Sequence, residues 1–240
     1  MINLLHISVF RFLFDIVTHP RALDVVSELL GSEDIVLLSS TIFTKYPPEK
    51  VTPDYEGDFV GWHQDLRYWG LESAEEGERV RIINMWMAVD AADESNGAMQ
   101  FLQGSHTKGY FEHVQSDRLG NVLNENQDMN IPEEYRGKII QSRLRPGEAS
   151  FHDGNCTIIF DECPIICNPF PGLVVHGSKA SLARRRMGMT AQFTNTRVRM
   201  NPMEYTQSRA FSEDFRKPVL VRGQDTFGNL KYFNMGLNVA

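Results

Sequence analysis

Cysteine is nearly absent, with three residues in a chain of 240. So few thiols build no disulfide framework, which excludes the small bridge-stabilised secreted scaffolds. Positive charge is also short: 24 Lys and Arg stand against 31 Asp and Glu, for a net charge of -7. A nucleic-acid surface needs clustered cations to release phosphate counterions, and the local run Arg184-Arg185-Arg186 does not reverse that balance. No stretch approaches the roughly 20 apolar residues of a membrane span. The apolar start, Met1 to Phe14, carries His6 and Arg11 without a basic leader, so it reads as a packed helix and not as a signal peptide. Asn238-Val239-Ala240 matches no peroxisomal or retention signal. Repeats and low-complexity tracts are missing. What remains is ordinary globular composition, 42% apolar and 23% charged, expected of one soluble, cytoplasmic domain over residues 1–240.

Hydrophobic periodicity predicts few helices and many strands. Residues 18–31 read as a helix: Pro20 suits the first turn, Leu23, Val26, Leu29 and Leu30 recur at helical spacing, and Gly31 suits a left-handed cap. Ile35 to Phe43 is rich in strand formers and is closed by Tyr46-Pro47-Pro48. Val80 to Asp90 reads as a strand with Ile82, Asn84, Trp86 and Ala88 on one face. Ser95-Asn96-Gly97 signals a hairpin that returns through Ala98 to Leu102. Residues 107–137 are polar and aperiodic, an excursion expected over the mouth of a site. Ile139 to Leu144, Glu148 to His152 and a long Arg186 to Met200 strand follow, and residues 201–240 show only weak pattern. Short strands with one or two early helices predict a mainly β fold, a jelly roll whose interior can house a metal.

The chemistry centres on Gly61-Trp62-His63-Gln64-Asp65-Leu66. On an extended backbone residues i and i+2 point to one side, so His63 and Asp65 can offer an imidazole and a carboxylate to one ion. One further His completes the 2-His-1-carboxylate face that suits non-haem Fe(II) and leaves positions open. Alone, a His-x-Asp is as readily a surface pair. The second signal is Val174-Val175-His176-Gly177-Ser178, with Arg186 ten residues beyond the His. A planar, permanently charged guanidinium suits the far carboxylate of a chelating 2-oxo acid. His152 is the rival third ligand, without an Arg at that spacing.

These residues resemble the phytanoyl-CoA dioxygenase (PhyH-like) family of Fe(II)/2-oxoglutarate-dependent oxygenases, from about Asp15 to Phe193. The resemblance is carried by His63-Gln64-Asp65-Leu66, Trp86, the segment Ser95 to His106, Arg145-Pro146-Gly147, and His176-Gly177-Ser178 with Arg186. It implies a double-stranded β-helix of the jelly-roll, cupin-like kind with flanking helices. By that similarity His63, Asp65 and His176 are the catalytic iron ligands, Arg186 and Ser178 hold the far carboxylate of 2-oxoglutarate, and Trp86 lines the same pocket. His106 belongs to the turn and is structural. The implied cofactors are Fe(II), 2-oxoglutarate and O2, and the implied partner is a small organic substrate, hydroxylated in a biosynthetic route. No nucleic acid or membrane is implied, and monomer and homodimer both stay open. Halogenating relatives replace the carboxylate ligand by Ala or Gly, so Asp65 argues against halogenation.

Two departures stand out. Relatives carry a further helical segment before the position of Met1, so the chain reads as short at its start. Residues 155–172, which hold Cys156, Cys163 and Cys167, interrupt a pattern in which Phe151-His152-Asp153-Gly154 would continue at Leu173. The spacing of those cysteines lacks the paired short intervals of zinc sites. The segment reads as a retained intron, and both departures admit a jelly-roll member without turnover. A third reading, a cupin-like metal enzyme independent of 2-oxoglutarate, requires Arg186 to point away from the metal.

Overall fold

The computed structural model describes residues 11–123, 127–152, 157–159, 174–200 and 218–232. The helices are α1 (Arg11–Val17) and α2 (Pro20–Leu30). The strands run β1 (Ile35–Lys45), β2 (Val60–His63), β3 (Leu71–Ser73), β4 (Ile83–Ala88), β5 (Met99–Leu102), β6 (His113–Gln115) and β7 (Gln127–Met129). They continue with β8 (Ile139–Ser142), β9 (Ala149–His152), β10 (Thr157–Ile159), β11 (His176–Ser178), β12 (Arg186–Asn195), β13 (Val198–Met200) and β14 (Val219–Arg222). Hydrogen bonding orders them β10-β9-β4-β12-β1-β14 in one sheet and β2-β11-β5-β8 in another, with β13-β3 and β6-β7 as two-stranded ribbons. No helix among the described residues is long and apolar enough to cross a membrane.

The chain clusters into two compact units, one drawn from Ile42–Asp65 and Met85–Met189, the other from Leu4–Thr41, Leu66–Asn84 and Thr190–Ala240. In the second unit α2 forms where periodicity places it. Pro20 occupies the first turn, Leu23, Val26 and Leu30 are buried, and Gly31 at φ 67° donates its N–H to Ser27 O at 2.8 Å. Val36, Leu38, Ile82, Val198 and Leu230 make its core. The expected Arg186 to Met200 strand is two strands: β12 ends at Asn195, and β13 turns off to pair with β3. The tail contains β14, paired antiparallel with β1, which its weak pattern did not announce. Of the expected Met1 to Phe14 helix, residues 1–10 lie outside the described set, as do residues 160–173 and all three cysteines.

In the first unit, the four-stranded sheet packs apolar side chains on both of its faces. Phe101 and Val174 point into a cluster with Trp86, Ala88, Met99 and Leu144. Their chain neighbours Leu102 and Val175 point the other way, onto Met129 and Tyr135 with Trp62 and Phe111 beside them. The 107–137 excursion therefore covers a sheet face. Polar side chains hold it to β2: Asn121 Oδ1 accepts from Gly61 N at 3.1 Å and Asp128 Oδ1 from Trp62 N at 3.0 Å.

The Ser95-Asn96-Gly97 signal is a real reversal but not a hairpin. Asp93 caps a short 3-10 turn, Gly97 takes φ 74°, and the chain passes from β4 into the other sheet, where β5 pairs with β8 and β11. A turn signature specifies local dihedrals and leaves the partner strand to long-range packing.

Candidate metal centre

His63 closes β2 and His176 opens β11, and the two are antiparallel register partners with ring centroids 4.1 Å apart. Asp65 does not share an extended strand with His63, as the spacing led us to expect. β2 stops at His63, and Asp65 begins a 3-10 turn through Tyr68. Between them Gln64, fully buried, faces the excursion: its Nε2 donates to Gly109 O at 2.9 Å and its Oε1 accepts from Phe111 N at 2.9 Å. That clamp and the turn bring the carboxylate back toward the imidazoles.

Asp65 Oδ1 lies 3.3 Å from His63 Nε2, and its Oδ2 lies 3.3 Å from His176 Nε2. One ligand atom from each of His63, Asp65 and His176 falls within 4.8 Å of the others, close enough to share an ion. His63 Nδ1 sits 2.9 Å from Gly61 O and His176 Nδ1 sits 3.1 Å from Val174 O. A carbonyl can only accept, so in each neutral ring Nδ1 carries the hydrogen and Nε2 turns its lone pair toward Asp65. Gly177 permits the close approach, since a Cβ there would stand 2.9 Å from Val60 O. Ser105 adds support by accepting from Val175 N at 2.9 Å.

The charges are strongly coupled. Burial drags on the His63 pKa, but the hydrogen bond and charge of Asp65 outweigh it, and the net shift is upward. Burial and the neighbouring His63 pull His176 down to about 4. Burial disfavours the Asp65 carboxylate, yet His176 and His63 overcome it and hold the group below the usual carboxylate range. His152, the rival ligand, is also here: its Nε2 is 3.9 Å from Asp65 Oδ2 and its ring centroid 4.7 Å from that of His176. Burial and then His176 hold it neutral, far below its ordinary pKa. Neither of its ring nitrogens makes a hydrogen bond among the described residues.

Arg186 opens β12 and is buried, its guanidinium stacked 4.3 Å from the Trp86 ring centre. Gly188 makes that stack possible, because a Cβ there would fall 2.1 Å from Trp86 Cζ2. No carboxylate pairs with Arg186 among the described residues, and burial alone lowers its pKa to about 10, which leaves it charged at neutral pH. Ser178 is held by a side chain that the sequence reading missed: Lys45 Nζ donates to Ser178 Oγ at 2.6 Å. Its one legible trace is a Lys at the end of an otherwise apolar and hydroxyl-bearing strand.

An antiparallel jelly roll of the cupin-like kind, with two His and one Asp converging inside it, defines the class of protein. The sequence matches the description "Phytanoyl-CoA dioxygenase (PhyH)" over residues 5–157, and the chain belongs to that family. The match ends inside the 155–172 segment that interrupts the expected pattern. A Bos taurus protein, "Phytanoyl-CoA dioxygenase domain-containing protein 1", is 27% identical over 110 residues, 46% of this chain and 34% of that one. Among solved structures, the apo form of ThoJ, a non-heme monooxygenase, superposes with a TM-score of 0.62 at 22% identity, over 92% of this chain and 65% of its own. CytC3 with Fe(II) and alpha-ketoglutarate gives 0.58 at 19% identity, over 95% and 71%. The chain thus spans about a third of the curated relative and about two thirds of the first of these structures.

Proposed function

We propose that this chain is an Fe(II)/2-oxoglutarate-dependent oxygenase domain, spanning 1–240, in which His63, Asp65 and His176 hold iron. Two imidazole nitrogens and one carboxylate, all on one side, are the donor set that suits non-haem Fe(II) with positions left for other ligands. Arg186 and Ser178 receive the distal carboxylate of 2-oxoglutarate, and Trp86 forms the wall behind it. The observation that carries the reading is the buried Arg186, which lacks a carboxylate partner among the described residues of the unit that holds the three ligands. A buried, uncompensated guanidinium is costly and is stabilised by an anion.

When bound, the iron supplies activation of O2 coupled to decarboxylation of 2-oxoglutarate, with hydroxylation of a small organic substrate as the outcome. The protein's own share is positional. Gly61 O and Val174 O orient the two rings, Gln64 ties the ligand turn to the excursion, and Arg186 orients the co-substrate by its remote end. The solved structure of CytC3 with Fe(II) and alpha-ketoglutarate, which shares the fold, supports this pairing of metal and co-substrate. A cupin-like enzyme independent of 2-oxoglutarate would leave the buried guanidinium of Arg186, without a carboxylate partner among the described residues, with no role.

A second reading keeps the fold and loses turnover. It is favoured by the family match ending at residue 157, before His176. Anaerobic titration with Fe(II) and 2-oxoglutarate decides the matter. The chelate's visible charge-transfer band is expected in the wild-type chain and not in His63→Ala. No band in the wild type, or an undiminished band in His63→Ala, overturns the proposal.

A further inference from the structure

Lys45 is the last residue of β1 and is only 3% exposed. Its Nζ lies 3.1 Å from Ser178 O, 2.8 Å from Lys179 O and 2.6 Å from Ser178 Oγ. The two carbonyls can only accept, so an ammonium has one hydrogen left, and that hydrogen goes to the Ser178 hydroxyl. Having accepted there, Ser178 must direct its own hydrogen elsewhere. Buried lysines are ordinarily paired with a carboxylate. No such pair exists for Lys45 among the described residues, and the charge that acts most on it is the positive charge of Arg186, with Asp58 opposing more weakly. Burial and Arg186 hold its pKa well below the ordinary value. Burial and Arg186 thus favour release of the Lys45 proton, and an anion seated on Arg186 opposes that and keeps the ammonium.

Resting on the function proposed above, we infer that Lys45 is a positioning residue of the co-substrate site. Its ammonium turns the Ser178 hydroxyl toward a carboxylate seated on Arg186, and the two cations together select a 2-oxo acid with a second carboxylate over a 2-oxo monoacid. The Lys45 ammonium has all three hydrogens committed to protein oxygens, so it acts through Ser178 and through its charge. A bland alternative exists: the same three bonds staple residues 178–179 to β1, two residues beyond His176, and could serve only to hold that strand.

The test separates the two roles. With the full chain loaded with Fe(II) under anaerobic conditions, the visible chelate band is titrated with 2-oxoglutarate and, separately, with 2-oxobutyrate. Wild type is expected to prefer 2-oxoglutarate by at least a hundredfold. Lys45→Met and Lys45→Gln are each expected to weaken 2-oxoglutarate tenfold or more while leaving 2-oxobutyrate and Co(II) affinities within about twofold. Equal wild-type affinity for the two acids sinks the inference without needing any variant to fold. So does an unchanged 2-oxoglutarate affinity in the variants, or a parallel loss of both acids and the metal, which is the signature of a staple. A wild-type chain that forms no band with either acid refutes the underlying function instead.

Discussion

His176 faces His63 directly across the β11–β2 pair, although 112 residues lie between them in the chain. Backbone register alone sets that approach, and the carbonyls of Gly61 and Val174 then choose which nitrogen each ring presents. The consequences can be tested one side chain at a time.

His152 distinguishes a ligand from a neighbour. It touches the edge of the cluster, yet His63, Asp65 and His176 already provide the compact three-atom set. His152→Leu is expected to leave Co(II) affinity within about tenfold, whereas Asp65→Ala and His176→Ala each lose more than about a hundredfold, beyond the usual range for an outer-sphere partner. The leucine also removes two buried nitrogens that lack hydrogen bonds among the described residues. Metal-free His152→Leu should therefore be more stable by about 1 kcal/mol in urea unfolding. A hundredfold loss of Co(II) affinity in His152→Leu would make it a ligand.

Proton competition for the site comes from one histidine. His176, at about 4, is already neutral at pH 6, whereas His63 titrates above its ordinary 6.5 because Asp65 favours its charged form. The stability contributed by the charged His63–Asp65 pair is thus full below about pH 6.5 and is lost as pH rises through the raised folded value. Metal binding needs that proton gone. Competition titrations with Co(II) should show affinity rising about tenfold per pH unit below the folded His63 value and levelling above it, a slope of one proton. A slope of two would mean that His176 is also charged there.

Gly188 should be sensitive out of proportion to its size. A methyl group there would collide with the Trp86 indole, which is both core and the platform for Arg186. Gly188→Ala is expected to destabilise the fold by roughly 1–3 kcal/mol, the cost of overpacking. It should weaken 2-oxoglutarate binding more than Co(II) binding, measured by the anaerobic band and by metal titration. Equal stability and equal co-substrate affinity would refute the placement of the indole.

The 155–172 segment is expected to be dispensable. Of the 23 residues between His152 and His176, deleting these eighteen leaves five, and the two imidazole ring centroids stand only 4.7 Å apart. Two side chains in such contact place their backbones within the roughly 20 Å that a five-residue link spans when extended, and shortening the connection lowers its closure cost by about 1 kcal/mol. The deletion removes the β10 pairing with β9 but no ligand. Retained or improved Co(II) binding in the deletion variant is the expected result, and transcripts spliced without these codons would account for it. A variant that fails to bind metal would show that the segment belongs to the fold.

Much of this molecule was legible in one dimension. Local chemistry placed α2 between Pro20 and Gly31, put strands at β1, β4, β8 and β9, and singled out His63, Asp65, His176 and Arg186 as candidates, because caps, periodicity and ligand types are properties of neighbouring residues, whereas Ser178 and Trp86 were implied only by the family resemblance. The same local signals were silent about partners. Ser95-Asn96-Gly97 encodes a reversal, yet only packing of Phe101 and Leu102 against two different clusters sends β5 to the opposite sheet. His-x-Asp suggests a shared strand face, and only the clamp of Gln64 on residues 109–111 turns that spacing into a strand end and a 3-10 turn. Gly188 carried no readable mark and Lys45 only its place at the end of an apolar strand, since a lysine becomes unusual only when buried beside Arg186, and a glycine only when an indole fills the space of its missing side chain. Residue types and intervals are written along the chain, whereas burial, register and the charge felt by one side chain from another arise between segments far apart in it. That is why only the folded protein decided them.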